Sequence, residues 1–188
     1  MRWEGLFADL EGQLAAEERR ELDSEVAERT RRERALVDLP ARLAGALHSD
    51  VEVDLIGGRR LAGRLLDHGD GWLLLGRPAP GSEMLVVAGA VAALTGLPEG
   101  SAGSGDELRR RAARRFGLGY ALRVLARDRA TVALHLAGGG ELVGTVDVVG
   151  ADHLTLAEHP EGVPRRRENV RRLVTVPFTA LLAVESRR

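Results

Sequence analysis

The fold is decided by the stretch Val51-Glu52-Val53-Asp54-Leu55-Ile56-Gly57-Gly58-Arg59-Arg60-Leu61-Ala62-Gly63. Val51, Val53 and Leu55 alternate with Glu52 and Asp54, the two-residue period of a strand with one wet face. Gly57-Gly58 supplies a hairpin turn, and Leu61, Gly63 and Leu65 alternate with Arg60, Ala62 and Arg64 on the return. Gly69 to Gly71 makes the next turn and Trp72 to Leu75 a third strand. A loop from Gly76 to Ser82 then leads to a last apolar stretch ending near Leu94.

The same pattern returns 81 residues later. Val51, Leu55, Gly57, Gly58, Leu61, Gly63, Gly69, Leu73 and Leu75 fall on Val132, Leu136, Gly138, Gly139, Leu142, Gly144, Gly150, Leu154 and Leu156, nine identities in 25 ungapped positions. Turn glycines, strand glycines and inward leucines coincide together, so the match concerns backbone geometry as well as composition. Val91-Ala92-Ala93-Leu94 corresponds to Leu181-Leu182-Ala183-Val184 at an offset of 90, which gives the second copy nine extra loop residues, Arg165-Arg166-Arg167 among them. A glycine in the second strand marks the sharpest bend of a curved sheet, so each copy is expected to close into a small barrel of about five strands behind a short helix. Roughly 50 residues bury only a marginal core, and the copies are expected to pack on each other as a pseudo-dimer.

Outside the repeats the chain reads as helix and tether. Trp3, Phe7, Leu10 and Leu14 recur at helical spacing and form the apolar stripe of an amphipathic arm. From Glu17 to Arg34, 13 of 18 residues are charged, and Glu25/Arg29 and Glu28/Arg32 are acid-before-base pairs that support a solvated helix. Pro40 interrupts the pattern, and Ala41 to Leu47 starts a new short helix. Pro98 to Gly105 has the composition of a flexible linker; Asp106 is placed to cap the helix that follows, which runs to about Asp128 with a weak point at Gly117 to Gly119. The expected organisation is a helical arm over 1–38, a first barrel with its leading helix over 39–97, a linker over 98–106, and a second barrel with its leading helix over 107–188. The fold class is α+β, mainly β.

Composition removes whole chemistries. The 188 residues contain no cysteine and no lysine, every one of the 27 basic residues being arginine. Thiolate nucleophiles, iron–sulfur clusters, disulfides, the phosphate-loop lysine and Schiff-base lysines are therefore excluded. Serines sit at turns, linker and termini without a nucleophile elbow, and Gly117-x-Gly119 lacks the third glycine of a dinucleotide loop. No catalytic, cofactor-binding or metal site is expected; His153 and His159 with Asp152 and Glu158 do not make a closed ligand set. The chain is read as non-enzymatic, without a small-molecule substrate. Met1 to Gln13 lacks a signal peptide's basic start and unbroken apolar core, and no apolar run reaches membrane-spanning length, so a cytoplasmic protein off the membrane is expected.

Val132-x-Leu134-x-Leu136-x-Gly138-Gly139, Leu142-x-Gly144-Thr145, Gly150-Ala151-Asp152-His153-Leu154-Thr155-Leu156 and Val174-x-Val176-Pro177-Phe178-x-Ala180-Leu181 resemble an Sm-like barrel of the LSm and Hfq type. The resemblance covers both repeats, about half of the chain. It implies a helix capping a bent five-stranded sheet, and a habit of joining neighbours through exposed fourth and fifth strands. Where the family's first motif places an RNA-contacting asparagine, this chain has His153 and Trp72, and the second motif is replaced near Val176-Pro177 and Val86-Val87. The family's RNA pocket is thus not carried over. The opening Met1-Arg2-Trp3 with Leu6-Phe7-x-Asp9-Leu10-Glu11-x-Gln13-Leu14 also resembles uncharacterised proteins of high-GC actinobacteria, some labelled Fis-type regulators. Such a regulator ends in a helix-turn-helix, whereas this chain ends in strands.

Binding of protein partners is the expected function, and binding of nucleic acid is the alternative. In the first, Trp3, Phe7, Leu10 and Leu14 of the arm and the barrel edges take up protein partners, other copies of the chain included. In the second, the basic half binds RNA or DNA: residues 101–188 hold 15 Arg against 10 acids, residues 1–100 hold 12 against 18. Its arginines are Arg110, Arg111, Arg114 and Arg115 on the helix before the second barrel, and Arg165, Arg166, Arg167, Arg171 and Arg172 in the inserted loop. Phe116, Tyr120 and Phe178 are expected in the core, leaving little aromatic surface for stacking on bases.

Overall fold

The computed structural model describes residues 2–78, 81–98 and 116–187, the side chains of 2–16 and 18 excepted. The chain forms two compact units, Met1–Leu39 and Pro40–Arg188. The first is the helix α1 (Arg2–Ala35) with its exit. Among the described side chains of its charged part none is buried, Leu22 and Val26 standing about 60% exposed. Its order rests on local pairs: Glu28 meets Arg32 at 2.6 Å, while Arg29 turns to Glu33 at 3.2 Å instead of back to Glu25.

The second unit starts with α2 (Leu39–Gly45), where Pro40 stands in the first turn and its missing N–H costs no helical bond. The strands β1 (Asp50–Leu55), β2 (Arg60–Gly69), β3 (Trp72–Gly76), β4 (Glu83–Val87) and β5 (Val91–Thr95) follow. After α3 (Leu118–Arg127) come β6 (Thr131–Leu136), β7 (Glu141–Val149), β8 (His153–Glu158), β9 (Arg172–Pro177) and β10 (Leu181–Arg187).

The expected pair of closed five-stranded barrels is not what forms. All ten strands belong to one antiparallel sheet in the order β5-β1-β2-β3-β4-β10-β6-β7-β8-β9, open at β5 and β9. Closure would require β4 to return to β5 within the first repeat. The outer edge of β4 instead takes β10, with Ala183 opposite Val86, Val184 opposite Leu85 and Glu185 opposite Met84. The fourth strand of one repeat therefore continues the sheet into the fifth strand of the other.

The duplication itself is geometric. Val53↔Leu61 and Leu65↔Leu75 in the first repeat reappear as Leu134↔Leu142 and Val146↔Leu156 in the second. Irregularities recur too, with the shift between Leu65 and Asp67 repeated between Val146 and Val148. A Cβ on Gly63 would stand 2.5 Å from the Gly76 carbonyl oxygen, and one on Gly144 would run into the equivalent Ala157 carbonyl, so both second strands need glycine where they bend. Leu65, Leu73, Leu75 and Met84 from one half and Leu134, Leu154, Leu156 and Val184 from the other lie in one continuous core, closed by Leu43 of α2 and Leu122 of α3. Among the described residues no helix is long and apolar enough to cross a membrane.

Candidate interaction surfaces

The junction and the open edges are built from equivalent strands. At the junction Leu85, Val86, Leu182, Ala183 and Val184 are buried, each less than a tenth exposed. Their counterparts at the two ends of the sheet are Thr175 and Val176 of β9, and Ala92, Ala93 and Leu94 of β5. Of these, Thr175, Ala92 and Ala93 are exposed, and Leu173 beside them is 62% exposed. Apart from Arg172 neither edge strand carries a charge, and β5 has no proline to discourage pairing.

The hydrogen-bond phase of each ladder shows which backbone groups point outward. Phe178 N–H donates to the Asp152 carbonyl, just beyond the opposed pair His153 and Pro177. By antiparallel alternation, Val174 and Val176 spend their backbone groups on β8, whereas Leu173, Thr175 and Pro177 turn theirs to the open side. Pro177, with no N–H to donate, thus lies where none is needed for the β8 ladder. Ala88 N–H donating to the Gly71 carbonyl gives β4 the same phase, so Leu85 turns its backbone toward β10 as Thr175 turns its own toward solvent.

The junction also gathers charge. Arg59 in the first repeat's hairpin turn donates to Nδ1 of the buried His135 on β6 at 2.5 Å. That contact makes Nδ1 the acceptor and leaves the ring proton on Nε2, which makes no hydrogen bond and stands 3.5 Å from a Glu185 oxygen. Burial, then the Arg59 charge, push His135 below the ordinary histidine range, against the pull of Glu141 and Glu185. Arg187 closes the group, bonded to Glu161 at 2.8 Å and Glu141 at 3.1 Å.

Of the residues singled out from sequence, only some fall among the described side chains. Trp3, Phe7, Leu10 and Leu14 fall within α1, and their side chains lie outside the described residues, as do Arg110, Arg111, Arg114 and Arg115. Of the loop arginines, Arg165 donates through Nε and Nη2 to Asp147 and Arg172 through Nε to Glu158, while Arg166, Arg167 and Arg171 are exposed. His153 bonds Asp152 at 2.8 Å. His159 is buried, its Nδ1 2.9 Å from the Pro160 carbonyl and its Nε2 2.9 Å from the Thr145 hydroxyl. A carbonyl only accepts, so Nδ1 carries the proton and Nε2 accepts from Thr145, leaving no lone pair for a metal. Among the described residues no three His, Asp or Glu side chains gather as a metal site.

Two expectations for aromatic residues are corrected. Phe116, just before α3, is 40% exposed, and Tyr120 is 44% exposed because α3 turns its Ala121/Leu122 face to the core. Sequence reasoning missed the edge contrast, although the strand equivalence that reveals it was present in the two offsets. No protein-family model matches this chain, and no curated protein does either.

Proposed function

We propose that the protein is a non-enzymatic assembly module whose sheet edges bind protein strands, another copy of the chain being the partner its repeat specifies. The observation that carries this is the unequal fate of equivalent strands: β4 and β10 are buried against each other, while β9 and β5 have the same backbone geometry and stand open. Applying the junction's register to the free edges sets Ala93 opposite Val176, Leu94 opposite Thr175 and Thr95 opposite Val174 of the next copy. All three pairs are uncharged and suit strands. One copy would then add its β9 edge to the β5 edge of the next, head to tail. The amphipathic arm, with Trp3, Phe7, Leu10 and Leu14, would present further partners around such an assembly.

Light scattering on the eluting protein tests this. Assembly gives masses at multiples of the 20.2 kDa chain. Thr175→Pro, which deletes an outward N–H without touching the β8 ladder, should return it to 20.2 kDa with its circular dichroism unchanged. A wild-type protein that elutes as a single chain at high micromolar concentration defeats the self-pairing reading.

A second reading, a nucleic-acid-binding regulator, draws on the exposed Arg166, Arg167 and Arg171. It ranks lower because Arg165 and Arg172, from the same set, already face carboxylates. A salt titration against mixed RNA and DNA separates the two, since only phosphate binding weakens steeply with salt.

A further inference from the structure

Between the outer face of β3–β4 and α3 lies a cleft of about 370 Å³ that belongs to neither sheet edge. Its volume falls within the range that encloses small ligands, roughly 300–1,000 Å³. The chain has six aromatic residues, and half of them, Trp72, Phe116 and Tyr120, line this one place. Trp72 is the fixed wall: it is buried, and its Nε1 donates to the Phe116 carbonyl at 2.7 Å, tying the first repeat to the segment entering α3. Phe116 and Tyr120 stand half open, ring centroids 4.5 Å apart and tilted by 35°. Leu85 supplies apolar floor.

The rim has a single sign. Asp67 from β2, Glu83 from β4 and Asp128 at the end of α3 all line the cleft and are exposed, and no arginine or histidine is among the described residues lining it. Among the described residues lining it, the cleft gathers three carboxylates and no cation, which gives this lining a negative potential. Aromatic faces carry negative quadrupoles that add to this potential instead of opposing it. A neutral apolar ligand would leave the carboxylates unused, and an anion would be repelled by them.

We infer that this cleft binds a small organic cation with an apolar body, of the quaternary-ammonium type, its charge toward Asp67, Glu83 and Asp128 and its body against Phe116 and Tyr120. A methylated ammonium fits better than a primary one, because it sheds water more readily on entering an aromatic wall. The inference stands apart from edge pairing and survives its failure.

The test is a fluorescence titration of the full chain in a Trp3→Phe background, excited where only tryptophan absorbs, so that Trp72 alone reports. Benzyltrimethylammonium should change the emission saturably. Benzyl alcohol, of similar body but neutral, and benzenesulfonate, of opposite charge, should not. Asp67→Asn with Asp128→Asn should weaken binding about tenfold, and Tyr120→Ala by a similar factor. The Asn changes preserve shape and Asp67's acceptance of the His68 N–H. Glu83→Gln, at an exposed strand end, supplies the charge test should the double variant misfold. Equal binding of benzyl alcohol makes the cleft merely apolar and overturns the inference, as does a flat titration with the cation. Tighter binding of N-acetyl-arginine amide would overturn the small-molecule assignment in favour of a peptide.

Discussion

Within one chain, the same strand pair meets two fates. β4 and β10 occupy the middle of the sheet and bury Met84 to Val87 and Leu181 to Val184, whereas β9 and β5, their counterparts by register, end it with Leu173, Ala92 and Ala93 exposed. Nothing in the backbone of the repeat distinguishes the two situations; the neighbour does. Burial at a given repeat position is therefore set by what pairs with it, and an open edge of this kind presents a row of unpaired backbone N–H and C=O groups.

The largest expected effect tests whether the repeats are mechanically equal. Gly63→Ala and Gly144→Ala each force a Cβ into a neighbouring carbonyl, and each should cost about 3 kcal/mol or more, read from urea unfolding. Gly138→Ala, with nothing within 4 Å of the added Cβ, is the control and should lose much less. Tolerance at one bend and not the other would end the equivalence. Next in size is the junction itself. Val184→Ala, at 1% exposure, should destabilise the chain by about 2 kcal/mol, while Leu94→Ala at the matching edge position should cost less than about 1 kcal/mol in dilute protein. If edges pair, the Leu94→Ala loss grows with protein concentration and the Val184→Ala loss does not.

Much of this was legible in the residues. Alternation around Gly57-Gly58 and Gly138-Gly139 locates the hairpins, and the two offsets of 81 and 90 carry over to pair after pair of the register. Closure was not legible. Met84 to Val87 is an apolar run and Val174 to Pro177 is its equivalent with Thr175 inside it, and only the first finds a partner from far along the chain. Local periodicity records that a strand wants a neighbour and is silent on which one. The aromatic cleft escaped for a related reason: Asp67, Trp72, Glu83 and Tyr120 come from β2, β3, β4 and α3, and α3's amphipathicity points Tyr120 away from the core only once Leu122 is known to be the inward residue.

Asp54 faces Arg60 across the first hairpin, and at the equivalent positions His135 faces Glu141 across the second, so the order of acid and base is reversed. The reversal has unequal consequences because only the second site is covered by the other repeat. His135 keeps its proton less readily in the folded chain than at its ordinary value of 6.5, through burial first and Arg59 second. Below that value the unfolded chain takes up the proton that the folded chain resists, so stability is full above pH 6.5 and falls as pH drops toward the folded-state pKa. Thermal melts should show this slope, at most about 1.4 kcal/mol per pH unit, and His135→Gln should flatten it. The smallest effect belongs to the first site. Asp54→Asn breaks a 2.6 Å pair whose arginine side chain is 67% exposed, where solvent screens most of the attraction. Its melting temperature should stay within about a degree of wild type at neutral pH. A loss there as large as at His135 would mean that the first hairpin is also covered, by a second copy.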